Sequence, residues 1–290
     1  MKASTRLRKL MAEGQIIMAP GCHDALGAYF IQRAGFRAAS MSGYGVACSL
    51  LGRPDVGELT MTEIVAHARR IAAAVDIPLI CDADTGYGGL LNVQRTVREF
   101  EKAGVAGIHI EDQVEPKRCA GMAGVRVVEL DAAVARVRAA VAAKEDPDFV
   151  IIARTDARAV LGFEAALERA HAFARVGADV VYVELMQSRE EVERLARAVT
   201  EVPLLFDRFE HPAIPVLTAS ELGALGYRIV LFPLTSTLAY AKALGELYPS
   251  ILQNDGNAHL ADRRMDLHAF ERTLRLGEIW EGVAKFEGKA

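Results

Sequence analysis

Two aspartates, Asp82 and Asp84, follow the apolar run Pro78-Leu79-Ile80-Cys81 and precede a glycine-rich stretch, Thr85-Gly86-Tyr87-Gly88-Gly89. If the run is a strand, its period of two sends both carboxylates to the same side. Groups that close repel unless a cation sits between them or one keeps its proton. A hard divalent ion such as Mg²⁺, held by a few carboxylates with water and substrate oxygens, answers that repulsion. Taken alone, an Asp-x-Asp is more often a solvated loop end. A second acidic segment, Ile108-His109-Ile110-Glu111-Asp112, shifts the reading toward chemistry. Arg154, at the end of another apolar run, offers a planar fork suited to a substrate carboxylate. Lys117-Arg118-Cys119 sets a thiol beside two cations, which predicts a thiolate or at least an accessible acid.

Something must bring these residues together. Short apolar runs recur at 16–19, 38–42, 79–83, 107–111, 149–153, 180–184, 204–206 and 229–232, with helical periodicity between them. The runs are continuously apolar rather than alternating, as in strands buried on both faces. Eight such βα units predict a (β/α)8 barrel, for which about 250 residues suffice; a doubly wound open sheet is the alternative. Pro20-Gly21 should stop the first strand, and Ser42-Gly43-Tyr44-Gly45 reads as a turn. Barrel enzymes collect their chemistry at the C-terminal strand ends. Here those ends carry Ser42, Gly43 and Tyr44, Asp82 and Asp84, His109 and Glu111, Arg154 and Asp156, Glu184, and Asp207. That acidic rim suits a metal ion and an anionic substrate. The irregular segment 112–128, which carries Cys119, would be the lid that excludes water.

The chain reads as one domain, 1–290, with an N-terminal helix over 1–13 and C-terminal helices over about 238–290. The last of these is apolar enough to pack on the barrel or on a neighbouring subunit. A net charge of −4 gives no reason to expect nucleic acid or an anionic membrane as a partner. No apolar run reaches the ~18 residues of a membrane span, and the basic N-terminus lacks a signal-peptide core. Four cysteines without paired spacing point to a reduced, cytoplasmic protein.

Asp82-Ala83-Asp84-Thr85-Gly86-Tyr87-Gly88, His109-Ile110-Glu111-Asp112-Gln113, Pro116-Lys117-Arg118-Cys119 and Ala153-Arg154-Thr155-Asp156-Ala157 together resemble the isocitrate lyase/phosphoenolpyruvate mutase superfamily. Ser42-Gly43-Tyr44-Gly45 and Gly52-Arg53-Pro54-Asp55-Val56-Gly57 are most similar to its 2,3-dimethylmalate lyase and 2-methylisocitrate lyase branches. The resemblance implies a lyase dependent on Mg²⁺, with Mn²⁺ as a substitute. It would cleave a carbon–carbon bond of a 2-hydroxy dicarboxylic acid to pyruvate, or a related 2-oxo acid, and a second carboxylic acid. The alternatives on the same fold are a phosphonate mutase or an oxaloacetate hydrolase or decarboxylase. More remote is a non-catalytic barrel that binds carboxylates.

By the same resemblance Asp82 and Asp84 hold the metal, with Asp55 and Glu111 on its waters. Ser42, Gly43, Tyr44 and Arg154 grip the oxo acid. Cys119 is the general acid, served by Lys117, Glu111, His109 and Glu184. The family fold implies a homotetramer whose C-terminal helices are exchanged between subunits. Four positions depart from the pattern: Ala120-Gly121 stand for Gly-His, Ser40 for a tyrosine, and Asp207 for an asparagine. Leu238 replaces an arginine of the methylisocitrate branch, which argues against a tricarboxylic substrate.

Overall fold

A computed structural model describes residues 1–288; the last two residues of the expected C-terminal stretch lie outside it. Eight parallel strands pair in chain order into a closed barrel: β1 Ile17–Cys22, β2 Ala39–Met41, β3 Leu79–Asp82, β4 Gly107–Glu111, β5 Val150–Thr155, β6 Val180–Val183, β7 Leu204–Asp207 and β8 Tyr227–Phe232. The ring closes where Ile17 to Pro20 of β1 pair with Ile229 to Phe232 of β8. In order, the helices before β5 are α1 Ala3–Ala12, α2 Ala25–Arg33, α3 Gly43–Leu51, α4 Met61–Ala73, α5 Leu90–Lys102 and α6 Leu130–Ala142. After β5 come α7 Ala157–Leu161, α8 Phe163–Arg175, α9 Arg189–Ala198, α10 Ala219–Ala224, α11 Thr235–Gln253, α12 Leu267–Thr273 and α13 Leu276–Phe286.

Alternation within the strands explains why the apolar runs are unbroken. In β5, Val150 and Ile152 pack with Ile80, Val180 and Leu205 in one cluster, which Leu7 and Leu10 of α1 join. Ile151 belongs to a second cluster, with Val93, Val97 and Phe100 of α5. Ala153 belongs to a third, with Ala166, Ala170 and Phe173 of α8. Each strand therefore buries one row of side chains inside the barrel and one beneath the helices.

The structure corrects the sequence reading in several places. Pro20 and Gly21 do not stop β1, which runs through to Cys22. A Cβ on Gly21 would lie 2.3 Å from the carbonyl oxygen of Pro233, so this glycine marks a close backbone approach rather than a break. Residues 42–45 are not a free turn but the start of α3, capped by the Ser42 hydroxyl, which accepts from the Gly45 N–H at 3.4 Å. The short helix α7 was not anticipated. The stretch 267–286 is two helices, parted at Arg275, whose φ of 62° is left-handed.

The chain divides into two compact units, Met1–Leu238 and Ala239–Ala290. In the second, α13 buries none of its own side chains, and Ile279, Trp280 and Phe286 are exposed. No helix among the described residues is long and apolar enough to cross a membrane.

Candidate active site

The C-terminal ends of the strands open on a pocket lined by Ser42 and Tyr44 from the start of α3, Asp82 from β3, and His109 and Glu111 from β4. Arg154 of β5, Glu184 beyond β6, Asp207 of β7, and Asp55, Lys117 and Cys119 from the loops complete it. Gly43 and Asp84 adjoin this lining. The Gly43 N–H donates to Asp82 Oδ2 at 3.2 Å, and the Asp84 N–H donates to Asp82 Oδ1 at 3.0 Å. The residues read from the sequence as catalytic, substrate-binding or metal-holding thus lie in or against one pocket.

Asp84 arrives there by a different route from the one expected. The strand ends at Asp82, and Asp84 takes a left-handed φ of 47°, as does Tyr87 at 61°. A left-handed turn, not strand alternation, returns the second carboxylate to the site. Non-glycine residues held in this region are strained and cluster where function over-determines them. Leu185, with φ 53°, follows Glu184 in the same way.

The electrostatics follow from crowding charges into a dry site. Burial works against ionisation of Asp82, but His109, Lys117 and Arg154, with a backbone N–H, outweigh it and hold the group at about 2. Burial, with Asp82 and Asp55 adding to it, pushes Asp84 up to about 7 despite Lys117. Two close carboxylates therefore divide into one charged and one readily protonated. Burial also raises Glu111 well above the carboxylate range and lowers His109 to about 4. His109 Nδ1 lies 3.5 Å from Asp82 Oδ1.

Lys117 does not sit against the thiol as an activating cation. It is buried, with Nζ 2.5 Å from Asp55 Oδ2 and 2.6 Å from Asp84 Oδ1. Burial outweighs the positive neighbours of Cys119 and pushes its thiol up to about 12. Of the two alternatives read from the sequence, the thiolate is corrected: burial keeps the thiol protonated. Arg154 spends its Nε–Nη2 edge on Asp156, at 3.1 and 2.9 Å, with Glu111 and Glu184 at 3.3 and 3.4 Å.

The loop bearing Cys119 is pinned at both ends. Val114 N donates to Arg126 O, Val128 N donates to Asp112 O, and Arg136 donates to the carbonyls of Glu111 and Gln113. Buried Arg169 joins Asp112 to the Val128 carbonyl at 2.8 and 2.7 Å. Inside the loop, a Cβ on Gly121 would lie 3.0 Å from the Phe209 ring and 3.3 Å from His211. Those two side chains, stacked at 6.0 Å, fill the space left at that position.

Tyr182, which the sequence reading did not select, lies inside β6 with its hydroxyl against both Glu184 and Asp207. Its one sequence signal was the period-two relation to Glu184.

The oxygen-rich donor set suits a hard divalent ion. Glu111 Oε1 is buried without a hydrogen bond, and Asp84 Oδ1 meets only the Lys117 ammonium. Among the described residues no three His, Cys, Asp or Glu side chains converge as a ready cage. That pattern fits Mg²⁺, which takes one or two carboxylates and keeps waters and substrate oxygens for the rest.

The profile of the phosphoenolpyruvate phosphomutase family matches residues 7–252. The 2,3-dimethylmalate lyase of Eubacterium barkeri is 42% identical over 281 residues, 97% of each chain. A structure of oxaloacetate acetylhydrolase with the inhibitor 3,3-difluorooxalacetate superposes with a TM-score of 0.92 at 36% identity, covering 100% of this chain and 98% of the other. One of phosphonopyruvate hydrolase with oxalate and Mg²⁺ superposes at 0.88 and 29% identity, covering 98% and 99%.

Proposed function

This chain belongs to the phosphoenolpyruvate mutase/isocitrate lyase superfamily, and we propose that it is a Mg²⁺-dependent lyase that cleaves a malate-type 2-hydroxy diacid into a 2-oxo acid and a second carboxylic acid. The observation that carries this reading is the placement of Cys119 in the wall of the pocket that holds the rim of buried carboxylates.

Asp82 and Asp84 would hold the ion, with Asp55 and Glu111 beside them. When bound, it supplies Lewis-acid stabilisation of charge on the oxo-acid oxygens. Ser42, Gly43 and Tyr44 hold the oxo-acid end at the start of α3, where the helix dipole favours an anion. Arg154, steadied by Asp156, turns its remaining donors to the same end. As the bond breaks, the 2-hydroxyl gives its proton to a charged carboxylate of the rim and its oxygen becomes the carbonyl of the 2-oxo acid, while the bonding pair stays on the carbon next to the second carboxylate. Cys119 gives that carbon its proton, as general acid, and the loop over the mouth keeps water from doing so first. Glu184 and His109 orient these groups. The protein works as a homotetramer with exchanged C-terminal helices, the barrel and its tail serving as one functional domain in the cytoplasm.

A second reading is hydrolytic cleavage of oxaloacetate, supported by the likeness to oxaloacetate acetylhydrolase.

The deciding experiment is a coupled assay for pyruvate release from substituted malates, with and without Mg²⁺. Release that needs the ion and falls by at least ~100-fold in Cys119→Ser, with Mn²⁺ binding unchanged, is expected. A fully active Cys119→Ser enzyme removes the acid and favours the hydrolytic reading.

A further inference from the structure

Two carboxyls of the pocket wall, Glu184 and Asp207, and the buried phenol of Tyr182 between them have protons that do not balance. Tyr182 Oη is in short contact with Glu184 Oε2 and lies 2.8 Å from Asp207 Oδ2. A phenol has one proton. It can donate to one carboxyl and offers only lone pairs to the other. Were both carboxyls ionised, one of these buried contacts would set lone pair against lone pair. One carboxyl must therefore carry a proton of its own. Glu184 already has partners for a charge: Arg154 Nη2 at 3.4 Å and the Leu185 N–H at 3.1 Å. Asp207 has no cation within salt-bridge reach among the described residues, and its Oδ1 is buried without a hydrogen bond.

We propose that Asp207 is a neutral carboxylic acid, donating to Tyr182, which donates to Glu184, and that it gives the pocket an uncharged wall beside Phe209, Leu231 and Leu234. Its surroundings agree. Burial raises Asp207 well above the carboxylate range, with the charge of Glu184 adding to it. The charged or titratable groups facing it are Arg154 from β5, Tyr182 from β6, Glu184 just beyond β6, and Glu210 beyond β7. His109 from β4 stands edge-on to the Tyr182 ring at 5.8 Å.

A consequence for substrate choice rests on the reading of this pocket as an oxo-acid site. The wall faces the half of the substrate beyond the oxo-acid grip. A second carboxylate can lie against it only while Asp207 keeps its proton; a neutral amide in that place is indifferent to the proton.

The test begins with infrared difference spectra of the protein without ligand at neutral pH. The carbonyl band of a protonated carboxyl should be lost in Asp207→Asn and retained in Glu184→Gln. No band lost in Asp207→Asn, or a band lost only in Glu184→Gln, overturns the assignment. Calorimetry with Mg²⁺ then compares 2-methylmalate with its 4-monoamide, oxalate serving as control. The diacid should lose affinity over the same pH interval in which the band disappears, while the monoamide, and both ligands on Asp207→Asn, stay level. A diacid that weakens while the band persists, or holds while the band vanishes, overturns the wall. Failure of oxalate to bind counts instead against the oxo-acid reading and removes the consequence drawn from it. The infrared result stands independently.

Discussion

His109 is buried in the pocket and held neutral down to about pH 4, against an ordinary value of 6.5. Burial is the cause, and the sign follows from linkage. Above pH 6.5 neither the folded nor the unfolded chain protonates this ring. Between 6.5 and 4 the unfolded chain gains a proton that the folded one refuses, so stability falls as the pH falls and levels off below 4. At about 1.4 kcal/mol per unit, the loss is about 3 kcal/mol. Asp82, held at about 2, adds its own loss only below the ordinary range near 4. Urea unfolding of the metal-free protein at pH 7 and 4.5 should show the His109 share, and His109→Gln should lack most of it. Equal acid sensitivity in the two proteins would refute the assignment. At this scale the sequence supplied residue types and missed their states. Lys117 beside Cys119 in the chain suggested an activated thiol, yet the lysine turns to Asp55 and Asp84 and the thiol stays protonated. Adjacency in sequence does not say which way a side chain points, or how dry its surroundings are.

The close approach of α3 to β3 decides how accurately Asp82 and Asp84 are held. A Cβ on Gly43 would stand 2.7 Å from Asp82 Oδ2 and 3.4 Å from Asp84 Oδ1. Its backbone is otherwise compatible with alanine, which helices prefer. Gly43→Ala should therefore leave the urea midpoint nearly unchanged while Asp82 moves aside. A displacement of that size is expected to cost about 100-fold in kcat/KM, read by steady-state kinetics beside oxalate affinity. Unaltered kinetics would show that Asp82 has room to spare. The elements themselves were largely legible. β4 was expected at 107–111 and is found there, because an apolar run between Gly107 and Glu111 has one reading in a parallel sheet. α3 was not, because Gly43-Tyr44-Gly45 looks like a turn until the Ser42 cap is seen. β1 was cut short because Pro20-Gly21 ordinarily signals a break.

The closed barrel was foreseen from the run of eight strand and helix signals. The left-handed Arg275 between α12 and α13 was not, since no glycine marks it. The exposed Ile279 and Trp280 belong to the proposed subunit exchange. Sedimentation should give a homotetramer for the intact chain and smaller species for Ile279→Glu with Trp280→Glu, the far-ultraviolet dichroism being retained. A wild-type monomer would overturn the proposal. The pairing of Ile17 with Ile229 has a further consequence for how the chain is made. The first strand off the ribosome must wait for the last before its open flank is covered. Until β8 emerges, β1 and β7 each expose an unpaired backbone ladder, a template for sticking to other chains. The growing chain, more than the finished barrel, is therefore where this topology is exposed to aggregation.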